Sequence, residues 1–282
     1  MRRLHRWATA LLAMTCLAAP LAAQTLRVMS FNVRTLAAKD GPNRWELRRD
    51  LMVRTIREQH PDVMGTQELY KQQGDYLVSK LPGYTWFGEG RYGGDGDEHM
   101  GVFYRRDRLR VLASGNFWLS DTPDVPGSIS WGHPMPRMVT WAKFEDRRNG
   151  RIFYYYNTHF PYREQDVEAR NRCAAEIAAR IAKLPAGTPV VLTGDFNTDP
   201  SSQVYAMLTK ALQDARAAVA HPTGPEKTFH DFTGVPDQRI DWILERGFKP
   251  LSYATVTTHE GKRYPSDHFP VFTELQWKPA RH

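Results

Sequence analysis

Four short polar clusters sit at, or just past, the carboxyl ends of apolar runs. They are Ser30-Phe31-Asn32, Gln67-Glu68, Gly194-Asp195-Phe196-Asn197 and Ser266-Asp267-His268-Phe269-Pro270. One such cluster reads as a turn. Four in one chain require a fold that gathers several strand ends at a common edge, so that distant side chains converge.

The order of elements agrees with that requirement. Thr25 to Asn32 reads as a strand, and helical spacing follows over Arg44 to Gln59 at Leu47, Leu51 and Ile56, stopped by Pro61. Asp62 to Gln67 is the next strand, and Lys71 to Leu81 a helix ending in a Pro-Gly turn. Residues Gly88 to Asp97 are rich in Gly and Asp and read as an exposed loop. Strands are expected over Met100–Tyr104, Leu109–Ala113, Val139–Phe144 and Ile152–His159, with a Pro-, Gly- and Ser-rich segment containing Trp131 between the second and third. Gln165 to Lys183 is an amphipathic helix closed by a Pro-Ala-Gly break. Pro189–Thr193 is a strand and Gln203–Leu212 a helix, and strands over Arg239–Leu244, Ser252–Thr258 and Phe269–Leu275 end the series. The fold class expected is α/β: two mainly antiparallel sheets flanked by helices, a four-layer α/β/β/α sandwich. No linker separates two apolar units, so residues 24–282 read as one catalytic domain.

The first residues read as a targeting signal. Arg2, Arg3 and Arg6 precede a short apolar core over Trp7–Leu17 and small residues up to Ala23. That is the layout of a secretory signal peptide over residues 1–23, too short for a stable membrane anchor. It implies a secreted or periplasmic protein. Its removal takes three Arg and no acid, leaving +4 of the formal charge of +7. That weak excess is compatible with a polyanionic substrate without requiring one. The remaining chain keeps Cys173 as its single thiol, so an internal disulfide is excluded.

Asn32, Glu68 and Asp267 offer oxygen ligands, which suit a hard cation such as Mg²⁺, with Mn²⁺ the other candidate. Thiolate zinc sites are excluded by the cysteine count. The acidic run Asp95-Gly96-Asp97-Glu98 fails as a calcium loop, because Arg106 stands where the bidentate Glu belongs. Asp195 and Asn197, two apart, point to one side of an extended segment, where an Asp can activate water and an Asn can donate to a phosphate oxygen. The same pair would also suit an Asx turn. His159 and His268 can carry protons near neutral pH. Asp241, flanked by Ile240 and Trp242, needs a partner when buried and is assigned to His268; Glu98 is assigned to His159. Arg137, ahead of an expected strand, would fit phosphate oxygens or hold a carboxylate. Arg137, Asn157 and Trp131 are the candidate substrate contacts.

Taken together, these segments resemble the endonuclease/exonuclease/phosphatase superfamily. They occur in the order Ser30-Phe31-Asn32, Gln67-Glu68, Asn157-Thr158-His159, Gly194-Asp195-Phe196-Asn197, Arg239-Ile240-Asp241 and Ser266-Asp267-His268. Glu98 through Arg105, and Arg137 with Lys143-Phe144, resemble the deoxyribonuclease I branch. The resemblance implies divalent-metal-dependent cleavage of phosphate esters. In it Glu68 binds the metal with Asn32 and Asp267 nearby, Asp195 and His268 act on the attacking water, and Asn197 and His159 stabilise charge on phosphorus. Leu69-Tyr70 stands where nucleases of that branch carry an Arg, so a duplex-DNA substrate does not carry over. The first expectation is therefore a secreted phosphodiesterase or phosphatase acting on a compact phosphorylated molecule or lipid headgroup. A nuclease acting on DNA or RNA is the alternative, and a binding protein that has lost catalysis is a third reading. No obligate protein partner is implied.

Overall fold

The computed structural model describes residues 25–279; the expected signal peptide lies outside them. Twelve strands form two six-stranded sheets. The first is built from β1 (Thr25–Asn32), β2 (Val63–Gln67), β3 (Tyr84–Phe87), β4 (Val102–Arg105), β11 (Phe248–Thr255) and β12 (Val271–Trp277), in the order β11-β12-β1-β2-β4-β3. The second contains β5 (Leu109–Trp118), β6 (Met138–Asp146), β7 (Ile152–His159), β8 (Val190–Asp195), β9 (Gln213–Asp214) and β10 (Asp241–Arg246), in the order β5-β6-β7-β8-β10-β9. Each sheet has one parallel pair at its centre, β1 with β2 and β7 with β8, and antiparallel neighbours elsewhere. The expected class, two mainly antiparallel sheets with helices outside, is the one observed.

Period-two alternation sorts the side chains into layers. Leu26 and Val28 of β1, Val63 of β2, Phe153 and Tyr155 of β7, Val191 of β8 and Ile243 of β10 all point between the sheets. The intervening residues face outward. Met29, Phe31 and Met64 meet the helices α1 (Trp45–Gln59) and α2 (Lys71–Lys80) through Met52, Ile56 and Leu77. Val190, Leu192 and Leu244 meet α3 (Val167–Ala182) and α4 (Gln203–Leu208) through Cys173, Ile177, Ile181 and Leu208. Helix α1 stops where His60 turns left-handed at φ 47°, its N–H still donating to the Ile56 carbonyl at 2.8 Å.

The inner face is apolar only part of the way. Continuing the same alternation, the inward positions become Asn32, Gln67, Asn157, His159, Asp195 and Asp241 at one end. All of these strand ends lie together, because Asn32 pairs with Gln67, and Asp195 with both His159 and Asp241. Gly65 lets the sheets close on this end: a Cβ there would stand 2.3 Å from Thr193 Oγ1 and 2.4 Å from Asn157 Oδ1.

Several boundaries differ from expectation. β3 and the two-residue β9 fall where no element was expected, both being too short to show a period. β5 runs on to Trp118, past a register shift between Val111 and Ala113 that interrupts its alternation. Helix α4 ends at Leu208 rather than Leu212, where the chain turns to pair Asp214 with Leu244. The strand expected from Arg239 starts at Asp241, the Arg239 guanidinium being held by Asp214 at 2.5 Å.

The opposite end of β10 carries a buried acid on the same inner face. Glu245 accepts from the Phe248 N–H at 3.0 Å, and its other oxygen has no hydrogen-bond partner. Burial pushes its carboxyl up to about 7. In the unfolded chain it releases its proton near 4.5. Between these values the folded chain holds a proton that the unfolded chain has lost, so stability falls as pH rises and the loss is complete above about 7. Glu245→Gln keeps the acceptor and removes the titration. Denaturant unfolding at pH 5 and pH 8 should show the variant gaining on wild type by about 2.5 kcal/mol across that interval. Parallel stability curves for the two proteins would contradict this assignment.

Candidate active site

The polar end of the inter-sheet space opens into a cavity of about 440 Å³. Its lining includes Glu68, Glu98, Arg137, His159, Asp195, Asn197, Asp267 and His268, so most of the residues singled out from the sequence share one wall. Asn32 and Asp241 lie directly behind it and are bonded to residues that line it.

Asp195 is the centre of the arrangement. It ends β8 at 1 % exposure. Its Oδ2 accepts from Asn32 Nδ2 at 3.0 Å and lies 3.5 Å from His159 Nε2 and 3.8 Å from His268 Nε2. Its Oδ1 accepts from the Asn197 backbone N–H at 3.0 Å. That last contact is an Asx turn, so the turn reading and the chemical reading of Gly194-Asp195-Phe196-Asn197 coexist. Asn197 sits at φ 48° and donates its amide to the Phe160 carbonyl at 3.0 Å.

His268 donates from Nδ1 to Asp241 Oδ2 at 2.9 Å, the pairing expected from the sequence. Burial opposes its charge, but Asp241, Asp195 and Asp267 outweigh it and raise the imidazole to about 10. His159 is the opposite case. Burial, reinforced by Arg137 and Arg91, lowers it far below the ordinary value and keeps it neutral. Its expected partner is not there: Glu98 pairs with Arg91 at 2.8 Å, and His159 Nδ1 has no hydrogen-bond partner among the described residues. An arginine from the Gly- and Asp-rich loop has taken the acid that the sequence reading gave to the histidine.

Glu68 holds a left-handed φ of 60° at the end of β2. Its Oε1 accepts from Asn32 Nδ2 at 3.0 Å and its Oε2 from the Thr35 N–H at 2.8 Å. Asp267 accepts from Ser266 Oγ at 3.2 Å and pairs with Arg34 at 3.2 Å. Burial raises Glu98, Asp195 and Asp267, and in each a nearby acid adds to the effect: Glu68 for Glu98 and Asp267, Asp241 for Asp195. Crowded buried carboxylates whose protons are held up by one another are the setting a divalent cation relieves. Ligand atoms of Asp195, Asp241 and His268 also lie within 4.8 Å of one another, close enough for one ion.

Two expected substrate contacts are placed elsewhere. Asn157 is fully buried between the sheets, donating to the carbonyls of Thr66 and Gly101 at 2.7 and 3.1 Å and accepting from Gln67 at 2.7 Å. Its inward parity one residue pair short of the strand end puts it in the wall rather than at the surface. Trp131 packs at the outer helical layer, with Nε1 donating to Asp121 at 2.9 Å. Arg137 does line the cavity, and its Nη1 is buried with no hydrogen-bond partner among the described residues.

Arg34, Arg91, Tyr162, Phe229 and Gln238 also line the cavity and were not expected from the sequence. Only Arg34 carried a signal, two residues past Asn32 at a strand end. The others belong to loops without periodicity.

Comparison with known proteins places this geometry. An uncharacterised protein of Acanthamoeba polyphaga mimivirus is 30% identical over 81% of this chain and 91% of its own length. An endonuclease/exonuclease/phosphatase of Bacteroides vulgatus superposes with TM-score 0.85 at 34% identity, over 90% of this chain and 99% of that one. The mannosyl-6-phosphatase of Bacteroides thetaiotaomicron does so with TM-score 0.83 at 32% identity, over 89% of this chain and 100% of that one. The model of the Endonuclease/Exonuclease/phosphatase family matches residues 29–268, and the chain belongs to that family of divalent-metal-dependent phosphoric ester hydrolases.

Proposed function

We propose that this chain is a Mg²⁺-dependent phosphatase or phosphodiesterase acting on a compact phosphorylated molecule, a sugar phosphate being the best-supported class. The observation that carries the reading is the cavity. Its volume is that of a small-ligand site, and it is walled by Met135, Tyr162, Phe229 and Ile240 around the polar centre. Its similarity to the mannosyl-6-phosphatase supports a phosphosugar. Of the arginines in the lining, Arg34 is paired with Asp40 and Asp267, and Arg91 with Asp97 and Glu98. A polymer would call for a track of uncommitted cations.

Glu68, with Asn32 and Asp267 beside it, fits an oxygen-seeking cation better than the Asp195–Asp241–His268 cluster does. In that cluster His268, raised to about 10 by its neighbouring acids, is an imidazolium and has no lone pair to give an ion, whereas the Glu68 set is all oxygen. Glu68, with Asn32 and Asp267 beside it, would hold the ion, which would supply neutralisation of the negative charge of the phosphate ester. The chain's own groups do the rest. Asp195, made more basic by burial and Asp241, accepts a proton from the attacking water. His268, held as an imidazolium by Asp241, orients that water and steadies the charge that develops. Neutral His159 and the Asn197 amide donate to phosphoryl oxygens, and Arg137 offers its uncommitted guanidinium N–H groups. The water oxygen bonds to phosphorus, the ester P–O bond breaks, and the departing oxygen takes up a proton from solvent while Asp195 returns the one it accepted.

The leader over residues 1–23 supports export to the periplasm or medium. Among the described residues, no helix is long and apolar enough to cross a membrane.

A screen of the mature protein with Mg²⁺ against sugar phosphates, inositol phosphates, nucleotides, phospholipids, RNA and plasmid DNA tests the substrate class. Fastest turnover on a sugar or other compact phosphate is expected; preference for either nucleic acid would reverse the reading. Asp195→Asn should cut kcat by a factor of about 10³ or more with an unchanged circular dichroism spectrum. Near-wild-type turnover in that variant would remove Asp195 from its role. Chelation by EDTA should abolish activity and Mg²⁺ or Mn²⁺ should restore it; an undiminished rate after stripping would contradict the metal assignment.

A further inference from the structure

We infer that His133 is a positioning residue for Arg137, locked by Asp166 so that the arginine presents both terminal nitrogens to the substrate's phosphoryl group. The inference rests on the proposed reading of Arg137 as a phosphate contact, and deepens it by naming what holds that group in place.

Arg137 Nε donates to His133 Nε2 at 3.2 Å, and His133 Nδ1 donates to Asp166 Oδ2 at 2.7 Å. The three residues are 5, 4 and 3 % exposed respectively. Chemistry alone fixes the proton positions. A guanidinium can only donate and a carboxylate can only accept, so the imidazole between them must carry its proton on Nδ1 and a lone pair on Nε2. His133 is therefore neutral. Burial, and then the charge of Arg137, hold its imidazole down to about 4, consistent with that form. Asp166 is fixed in turn. Arg163 reaches its Oδ1 at 2.6 Å, and the Arg163 backbone N–H reaches Oδ2 at 3.1 Å. Against the effect of burial, Arg163 and His133 hold its carboxyl down to about 2.

The chain runs from one loop to another. His133 and Arg137 lie on the segment leading into β6, and Asp166 closes the 3-10 turn Glu164–Asp166 that starts α3. Arg163 Nη2 also donates to the Gly132 carbonyl at 2.6 Å. Tyr162, beside it, lies edge-on to His133 at 5.8 Å and under Arg137 at 5.9 Å. One acid thus aligns two walls of the cavity. With Nε committed to His133, the Arg137 guanidinium plane is set; Nη1 is buried without a partner among the described residues and Nη2 has only the Met135 sulfur at 4.0 Å, a weak acceptor that a phosphate oxygen would displace. A free arginine side chain would have to be ordered by the substrate itself.

The test is a double-mutant cycle read by the affinity of the Mg²⁺-saturated protein for inorganic phosphate, with kcat and KM on the best compact substrate as the second readout. His133→Ala should weaken phosphate binding about 10- to 100-fold and act mainly on KM. In an Arg137→Ala background the same change should cost less than about twofold, because the group it positions is gone. His133→Gln, which can still accept from Nε, should recover most of the affinity. Asp166→Asn serves if His133→Ala does not fold; it frees the tautomer and should show the same loss and the same non-additivity. An equal cost of the His133 or Asp166 change with and without Arg137 would overturn the positioning role while leaving the phosphate role of Arg137 standing. Phosphate affinity unaltered by Arg137→Ala would remove that role, and the positioning role with it.

Discussion

One buried carboxylate ties the two sheets together at their polar end. Asp195 ends β8 of one sheet, yet its Oδ2 is bonded to Asn32 at the end of β1 of the other. Asn32 uses the same amide nitrogen to hold Glu68. The contact exists because the strands that carry it are the central ones of each sheet, and because alternation turns both side chains inward. The apolar core between the sheets therefore passes into the candidate site with no change of backbone architecture. Only the residue types change, from Val28 and Val191 to Asn32 and Asp195 along the same faces.

That placement sets the electrostatics. Burial makes Glu98, Asp195 and Asp267 resist ionisation, and His159 and His268 take the states their neighbours impose. The two imidazoles that approach Asp195 Oδ2 diverge: His268 has Asp241 behind it and is raised, whereas His159 has no acid behind it and faces Arg137 and Arg91. Sequence position alone gives them similar surroundings, each following an apolar strand or turn. The difference comes from which residue stands on the far side of the ring.

The same contrast marks how much could be read from the sequence. Strand-end clusters were legible because a polar residue at the end of an apolar run is a local signal, and the fold class followed from their number and the order of helices. The Asp241–His268 pair was legible because an acid on a central strand between Ile240 and Trp242 demands a partner. Glu98 and Asn157 were not. Glu98 precedes a strand, but its nearest cation, Arg91, arrives from a glycine-rich loop whose path no periodicity describes. Asn157 shares the parity of His159 and reads as a site residue. Its position two residues inward places it against Gly65, where the sheets approach too closely to leave room for substrate.

Loop-borne residues finish what the strands begin, and they need a different kind of support. A side chain at a strand end inherits its direction from the sheet. Arg137 stands just before β6, after a loop rich in Pro and Gly, and cannot inherit one. In this chain the direction is supplied by hydrogen bonds to His133 and, through it, to Asp166 at the start of α3. The outer helical layer thereby takes part in the site although none of its helices reaches the cavity. The half of the cavity at the strand ends carries Glu68, His159 and Asp195, to which the proposed mechanism gives the metal and the attacking water. The half made of loops carries Arg91, Arg137 and Tyr162, and the hydrogen bonds through His133 and Asp166 are what give that half a fixed direction.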